Sequence, residues 1–509
     1  MSDIHRDEAR LMDIKDRIFH VDRRIQLLKG ERQFLAEQNA KLAANIAVQR
    51  VQYAPMRDLL PELCGIIFAL CTEAECSLSC SASHCEFQKS YPIVLASVCQ
   101  RWRAMVVRNP SMWTTLHLRP TSDALAEMKR ARLFLLRSAD MPLFITICPA
   151  NLRMGLSPQK MNGSVLPLIR LLIPYFDRIQ FLKAHLATEI LAVLFPPREI
   201  IQMPQVEELS LLVDDQHVGA SQLALLDSPK LHILHVRDMT PFVDLLENTL
   251  SSLHTLTVAK CHKWKLAPAF PSMLAKCTDL RSCSITFPVR LFFVELAPIM
   301  LPELQSLTLE WPFLFEPCPI FRALRTPRLR SLHITHLSPE LVLPPHTLSS
   351  LKGLIQSAPG LTSLTVTGCN LLTQDESTTI LQEANALERL EIINCQRGDR
   401  FIVPLCPHNP KSISAWVCPK LKHITISGLQ DSDVRPIVKL ARIRSDRHLT
   451  TATNHGGAYL QELMLFPNNQ NLTRQAKLLM FSGLFSVQKD VTMSGPFGSV
   501  FGNTSQAFG

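Results

Sequence analysis

Four residues with metal-ligating chemistry crowd one short stretch: Cys76, Cys80, His84 and Cys85. Thiolate and imidazole are ligands that zinc takes readily. Their spacing is irregular, whereas paired zinc ligands usually sit about two to four residues apart. Ser77, Ser79, Ser81 and Ser83 between them make a flexible polar loop the simpler account, so no metal is assigned. Asp214 and Asp215 set two carboxylates side by side after an apolar run; they could bind a cation or act as acid and base, but a solvated turn explains them more simply. No Gly-x-x-x-x-Gly-Lys phosphate loop, His-Glu-x-x-His metal site, Gly-x-Ser-x-Gly elbow or Gly-x-Gly-x-x-Gly turn occurs. The sequence therefore points to no catalytic residue, no cofactor and no enzymatic activity. A hydrolase hidden in the chain would need a deep pocket with coupled titratable groups.

Composition bounds the elements that could position a site. At 509 residues the chain exceeds what one hydrophobic core usually organises, so two or more structural units are expected. Hydrophobic residues make up 47% and charged residues only 19%, with a mean hydropathy of +0.11, which suits a packed chain and not a disordered one. The charged start, Met1 to Glu8, lacks the apolar core of a secretory signal. The apolar stretch 165–176 is broken by Pro167, Arg170 and Pro174, so no membrane span is expected. Fifteen cysteines, an odd number without a secretory signal, favour reduced thiols and a cytoplasmic or nuclear setting. The net charge of +9 is diluted over a long chain, and aromatics at 6% do not interleave with a basic stripe; no nucleic-acid or membrane partner is expected.

Residues 1–52 read as a coiled-coil helix. Leu11, Ile14, Ile18, Val21, Ile25, Leu28, Leu35, Leu42 and Ile46 alternate three and four residues apart, and Arg32 and Asn39 interrupt the seam where polar groups fix register. Such a helix either dimerises or meets a partner, or it folds back on its own chain as one amphipathic helix. Residues 55–118 carry two short helical blocks around the polar insert 72–90. Pro61 suits a first helical position, with Leu60, Leu63, Ile66, Ile67 and Leu70 as an apolar face. Leu95, Val98, Cys99, Trp102 and Val106 form a second helical stripe. Asn109-Pro110 stops it, and residues 113–118 alternate like a strand.

After a linker and first turns at 119–175, a recurrent pattern fills residues 176–466: an apolar residue, two variable, an apolar residue, one variable and a third apolar residue, at a period of roughly 22 to 39 residues. Its instances begin with Phe176/Ile179/Phe181, Val206/Leu209/Leu211, Leu231/Leu234/Val236 and Leu253/Leu256/Val258. Leu280/Cys283/Ile285, Leu304/Leu307/Leu309, Leu329/Leu332/Ile334 and Leu361/Leu364/Val366 follow. Leu387/Leu390/Ile392, Leu421/Ile424/Ile426 and Leu460/Leu463/Leu465 complete the series. Each repeat is expected to lay one short strand beside the last, its final two apolar residues inward, with a helical or irregular return such as the segment around Leu381. Cys261, Cys369 and Cys395 fall eight residues after the first apolar position of their repeats, where leucine-rich repeats place Asn or Cys to satisfy turn backbone. The expected fold class is α/β, a leucine-rich-repeat solenoid (horseshoe). The tail 467–509, rich in small and turn residues, is expected to be poorly ordered.

The ordered set Leu60-Pro61-Glu62-Leu63, Ile66-Ile67-Phe68, Leu95 to Val98-Cys99, Trp102-Arg103 and Pro110 to Trp113 resembles the F-box over about 60 residues. With a leucine-rich-repeat region behind it and a heptad helix in front, most of the chain is similar to the F-box proteins abundant in mushroom-forming fungi. It departs from the family at Cys64 and Gly65, where a second apolar residue is common, and in the 72–90 insert. The resemblance implies that Leu60, Pro61, Leu63, Ile66, Phe68, Leu95, Val98 and Trp102 hold a small helical F-box together and present an apolar surface to a Skp-type adaptor, itself linked to a cullin scaffold. Alternatively this block caps the solenoid.

The positions flanking the middle apolar residue of each repeat should face the concave side. Target-binding residues are therefore expected at Thr255, Thr257, Ser306, Thr308, Ser331 and His333, and further along at Ser363, Thr365, Arg389, Glu391 and His423. Strand propensity alone also explains the Ser and Thr there. The function implied is substrate recruitment by a Skp-cullin-F-box ubiquitin ligase, with a protein target of unknown identity; the alternative is a repeat scaffold without ubiquitin linkage.

Overall fold

The computed structural model describes residues 2–52, 59–73, 91–118, 124–147, 158–196, 199–213, 225–237, 247–259, 269–286, 296–311, 318–336, 345–368, 373–395, 398–406, 416–429, 434–445, 460–467 and 486–487. They fall into two compact units: Met1–Leu78 with Ser90–Asn109, and Ser79–Lys89 with Pro110–Gly509.

The first unit is helical. Helix α1 (Ser2–Gln52) runs unbroken, and every side chain from Asp3 to Gln49 is exposed. Helix α2 (Pro61–Glu73) begins on the proline, whose missing N–H would be unpaired in a first turn anyway, with Glu62 at the positive helix end. The second stripe read from the sequence spans two helices, α3 (Tyr91–Val98) and α4 (Gln100–Arg108). Cys99 breaks it: its backbone is extended (φ −158°, ψ 168°), and its Sγ accepts from the Trp102 N–H as the N-cap of α4. Helical spacing alone cannot register such a break, because the capping residue continues the apolar count.

The second unit is an α/β structure built on one long parallel sheet. Among the described residues it has fourteen strands, from Thr115–Leu118 to Ser486–Val487, in an order that follows the chain. Parallel neighbours need a crossover between them. Returns such as Ala124–Arg137, Pro345–Gln356 and Gln374–Glu383 supply it, and the last two pack side by side. Gln374–Glu383 opens with a capping box in which Thr373 Oγ1 accepts from the Glu376 N–H and Glu376 returns a carboxylate to the Thr373 N–H. Leu381 on this helix is fully buried, where the sequence placed it.

The repeat leucines form the core. In consecutive repeats Leu307, Leu332, Leu364 and Leu390 are laterally paired and at most 1% exposed. Burial of one such side chain contributes about 1.5–3 kcal/mol. Cys395 takes its expected place, buried, its thiol donating to the carbonyls of Val366 and Ile393. At three laterally equivalent positions the backbone is left-handed: Gly368 (φ +68°) and Asn394 (φ +49°), each just past a strand, and Gly428 (φ +79°), at the register irregularity within His423–Leu429. A Cβ on Gly368 would strike the His336 carbonyl, so the close approach requires glycine there. Farther along, the buried Arg444 donates to the carbonyls of Val417 (2.6 Å) and Cys418 (3.1 Å) beneath the Trp416 ring.

Two sequence expectations change. The first instance, Phe176/Ile179/Phe181, is one residue out at its end: Phe181 is only half-buried, while Leu182 and Ala184 point inward and pair with Leu209 and Leu211. A one-residue shift exchanges the two faces of a strand, and the small Ala184 gave no apolar signal to fix it. The sheet also starts earlier than residue 176. Thr115–Leu118 and Leu143–Ile147 are its first two strands, so the end of the 55–118 segment and part of 119–175 belong to it. Cys76, Cys80, His84, Cys85, Asp214, Asp215, Cys261 and Cys369 lie outside the described residues, as does the tail 467–509 apart from Pro467 and Ser486–Val487. No described helix is long and apolar enough to cross a membrane.

Candidate functional site

Two surfaces, one in each unit, collect the side chains singled out from the sequence. On the helical unit the motif residues divide between a small core and an exposed face. Phe68 is 2% exposed and packs its ring against Trp102, centroids 4.8 Å apart; Cys64 and Val106 are fully buried. Cys64, a departure from the resemblance, is thus a core residue, and its thiol lies 4.0 Å from the Leu59 carbonyl. That carbonyl also accepts from Arg101 Nη2 at 2.6 Å, which ties α4 to the start of α2, while Arg103 Nε donates to Ala96 O at 2.9 Å and ties α4 to α3.

Outside this core lies apolar surface. Leu60 (62% exposed), Leu63, Ile66 (58%) and Val98 (57%) are exposed, as is Pro61; Leu95 and Trp102 are half-buried. Ile67, Leu70, Ile93 and Val94 are exposed as well. The first two stood in the apolar face read from the sequence, whereas Ile93 and Val94 were missed. The run Pro92-Ile93-Val94-Leu95 carries their signal, since four apolar residues in a row cannot all turn to one side of a helix. In general, a sizeable exposed apolar patch is a common feature of interaction sites.

On the sheet, strand register gathers the expected target-binding residues into two lateral rows. Thr255, Ser306, Ser331, Ser363, Arg389 and His423 share one row, which passes through Ser282. Thr257, Thr308, His333, Thr365 and Glu391 share the other, through Ser284. All are half-buried except the exposed Arg389. Alternation along the strand puts them on the face opposite the leucines.

Near the middle of this face the polar groups interlock. His333 Nε2 lies 3.1 Å from the hydroxyls of both Thr335 and Thr367. Thr365 Oγ1 donates to Glu391 (3.1 Å), and Thr286 Oγ1 donates to Glu310 (2.9 Å). Burial lowers the pKa of His333, opposed by the charges of Glu391 and Glu310. Farther along, His423 Nδ1 lies 3.2 Å from Glu462 Oε2. Toward the other end, burial and then Lys183 lower the pKa of His235, while burial raises that of Glu208 against the pull of Lys183. Glu310, Thr335 and Thr367 were missed from the sequence; continuing the period of two past each repeat's third apolar residue would have found them. Among the described residues no three His, Cys, Asp or Glu side chains gather to hold a metal ion. The face offers hydroxyls, imidazoles and carboxylates with mixed charge, which suits many modest contacts to a protein.

No family model matches the chain, and no curated protein matches it. Among solved structures, the crystal structure of a TLR13-ssRNA13 complex is similar at 12% identity and a TM-score of 0.19. The similarity covers 56% of this chain and 49% of that one, so this chain spans about half the length of the structure it matches.

Proposed function

We propose that this protein is a substrate-recruiting adaptor of a Skp-cullin-F-box ubiquitin ligase, the helical unit acting as the F-box and the sheet unit as a leucine-rich-repeat solenoid that holds a protein target. The observation that carries the reading is the division of labour within the motif. Phe68, Cys64 and Val106 form the core with Trp102 against Phe68, while Leu60, Leu63, Ile66 and Val98 stay exposed. A helix pair that spends some apolar residues on its own core and leaves others open is built for a partner that supplies the missing cover. The half-buried rows of Ser, Thr, His and Glu support target contact by the sheet, on the cytoplasmic or nuclear side where such a ligase works.

The test is capture of the full chain on a purified Skp-type adaptor, comparing wild type with Leu63→Asp/Ile66→Asp. Both positions are exposed, so the variant keeps its fold. Capture by the wild type and loss in the variant is the expected result. A folded wild type that is not captured would sink the ligase reading and leave a repeat scaffold.

A further inference from the structure

Helix α1 is a 51-residue helix whose side chains from Asp3 to Gln49 are all exposed. A helix in water owes most of its stability to packing an apolar face against something, and this one, about 77 Å long at ~1.5 Å per residue, shows no buried side chain from Asp3 to Gln49. The face to be packed runs most of the helix, interrupted at Arg32 and Asn39. Ile4, Leu11, Ile18, Ile25 and Ile46 form one column of a heptad repeat, with Arg32 and Asn39 filling its two remaining places. Ile14, Val21, Leu28, Leu35 and Leu42 form the other. These ten apolar side chains are between 41% and 65% exposed.

We propose that α1 is the interface of an antiparallel homodimer, two copies of this chain crossing at mid-helix with Ile25 of each opposite Leu28 of the other. The charges flanking the seam decide between orientations, because such positions set partner choice and direction in coiled coils. In a parallel pair Arg10 would flank Lys15 and Arg24 would flank Lys29 of the second copy, with Arg32 facing Arg32 across the seam; Arg17 beside Asp22 is the one favourable contact between opposite charges. In the antiparallel pair Arg24 comes beside Glu31 and Asp22 beside Lys29, each twice by symmetry. Arg17 and Arg10 then meet the neutral Gln38 and Asn45, and Lys15 and Glu8 meet Ala36 and Ala43. No like charges are set together at these flanks. The same alignment puts Leu11 against Leu42 and Ile18 against Leu35, and Arg32 faces Val21 instead of another arginine; Asn39 then faces Ile14, and Ile46 and Ile4 at the ends face Asp7 and Gln49.

This proposal does not depend on the ligase reading. Arg24 and Glu31 lie outside α2, α3 and α4, so capture by an adaptor stays the same whichever way the dimer test falls. The test is sedimentation equilibrium of the full chain as wild type, Arg24→Glu and Arg24→Glu/Glu31→Arg. The wild type is expected at twice the 57.3 kDa chain mass. Arg24→Glu should weaken association about tenfold, because both symmetric ion pairs become repulsive, and the double exchange should recover it. A parallel pair would answer in the opposite sense, since the new carboxylate would meet Lys29 and tighten the dimer. A wild type that is monomeric at about 50 µM, a trimer or tetramer, an unchanged or tighter Arg24→Glu dimer, or a double exchange that fails to recover would each overturn the proposal.

Discussion

The apolar residues that repeat along the sheet unit are among the least exposed in the molecule, and those that repeat along the helical unit are among the most. Leu332 and Leu390 are 0% exposed; Leu28 and Ile66, equally periodic, are 56% and 58% exposed. Local sequence does not separate them. The difference lies in where the covering surface comes from. A repeat strand finds its neighbour one repeat away on the same chain, so the pattern closes on itself. Among the described residues, the seam of α1 and the outer face of α2 are left exposed. Apolar periodicity states that a face must be covered, not what covers it.

The largest effect that can break this contrast is truncation on each side of it. Leu332→Ala opens a cavity in the sheet core and should cost about 2–5 kcal/mol, whereas Ile66→Ala should change the stability of the isolated chain by no more than about 0.5 kcal/mol. Urea unfolding of both variants under one set of conditions measures this. A comparable loss at Ile66 would mean that the α2 face is already covered within the chain.

A second measurement sharpens it through pH. Burial lowers the pKa of His333 and of His235, both on the sheet. A histidine whose folded pKa lies below its ordinary 6.5 is protonated first in the unfolded chain, so its stabilising effect is present above 6.5 and is lost as pH falls from there toward the folded value. The sheet unit should therefore unfold more readily below that point. His235→Gln/His333→Gln should flatten the dependence in urea midpoints taken between pH 7.5 and 5; an unchanged slope would place its origin elsewhere.

The sheet was legible because its signal is redundant. One misread strand end, Phe181 in place of Leu182 and Ala184, is outvoted by the repeats that follow, and the two polar rows came out of simple alternation. The helical unit was legible in its residues but less so in its geometry. The Cys99 break between α3 and α4 lies inside an apolar stripe, where spacing continues through it. Which motif residues are core and which are surface also needed the structure. Phe68 and Ile66 are both apolar and two residues apart on α2, and only the ring of Trp102 over one of them tells them apart.

The smallest effect separates the two units by their glycines. Gly65 sits within α2, and a Cβ there would meet only Asn109 Nδ2, at 3.8 Å, an ordinary van der Waals distance. Glycine inside a helix costs roughly 0.5–1 kcal/mol relative to alanine, because the unfolded chain loses more freedom on folding. Gly65→Ala should therefore stabilise the helical unit by about that amount. The same substitution at Gly368 should go the other way, since its left-handed backbone and the His336 carbonyl leave no room for a methyl group. Thermal unfolding of the two variants reads opposite signs if the helical unit tolerates added bulk while the sheet turns do not. A destabilising Gly65→Ala would show instead that α2 depends on a closer approach at this position than the Asn109 contact provides.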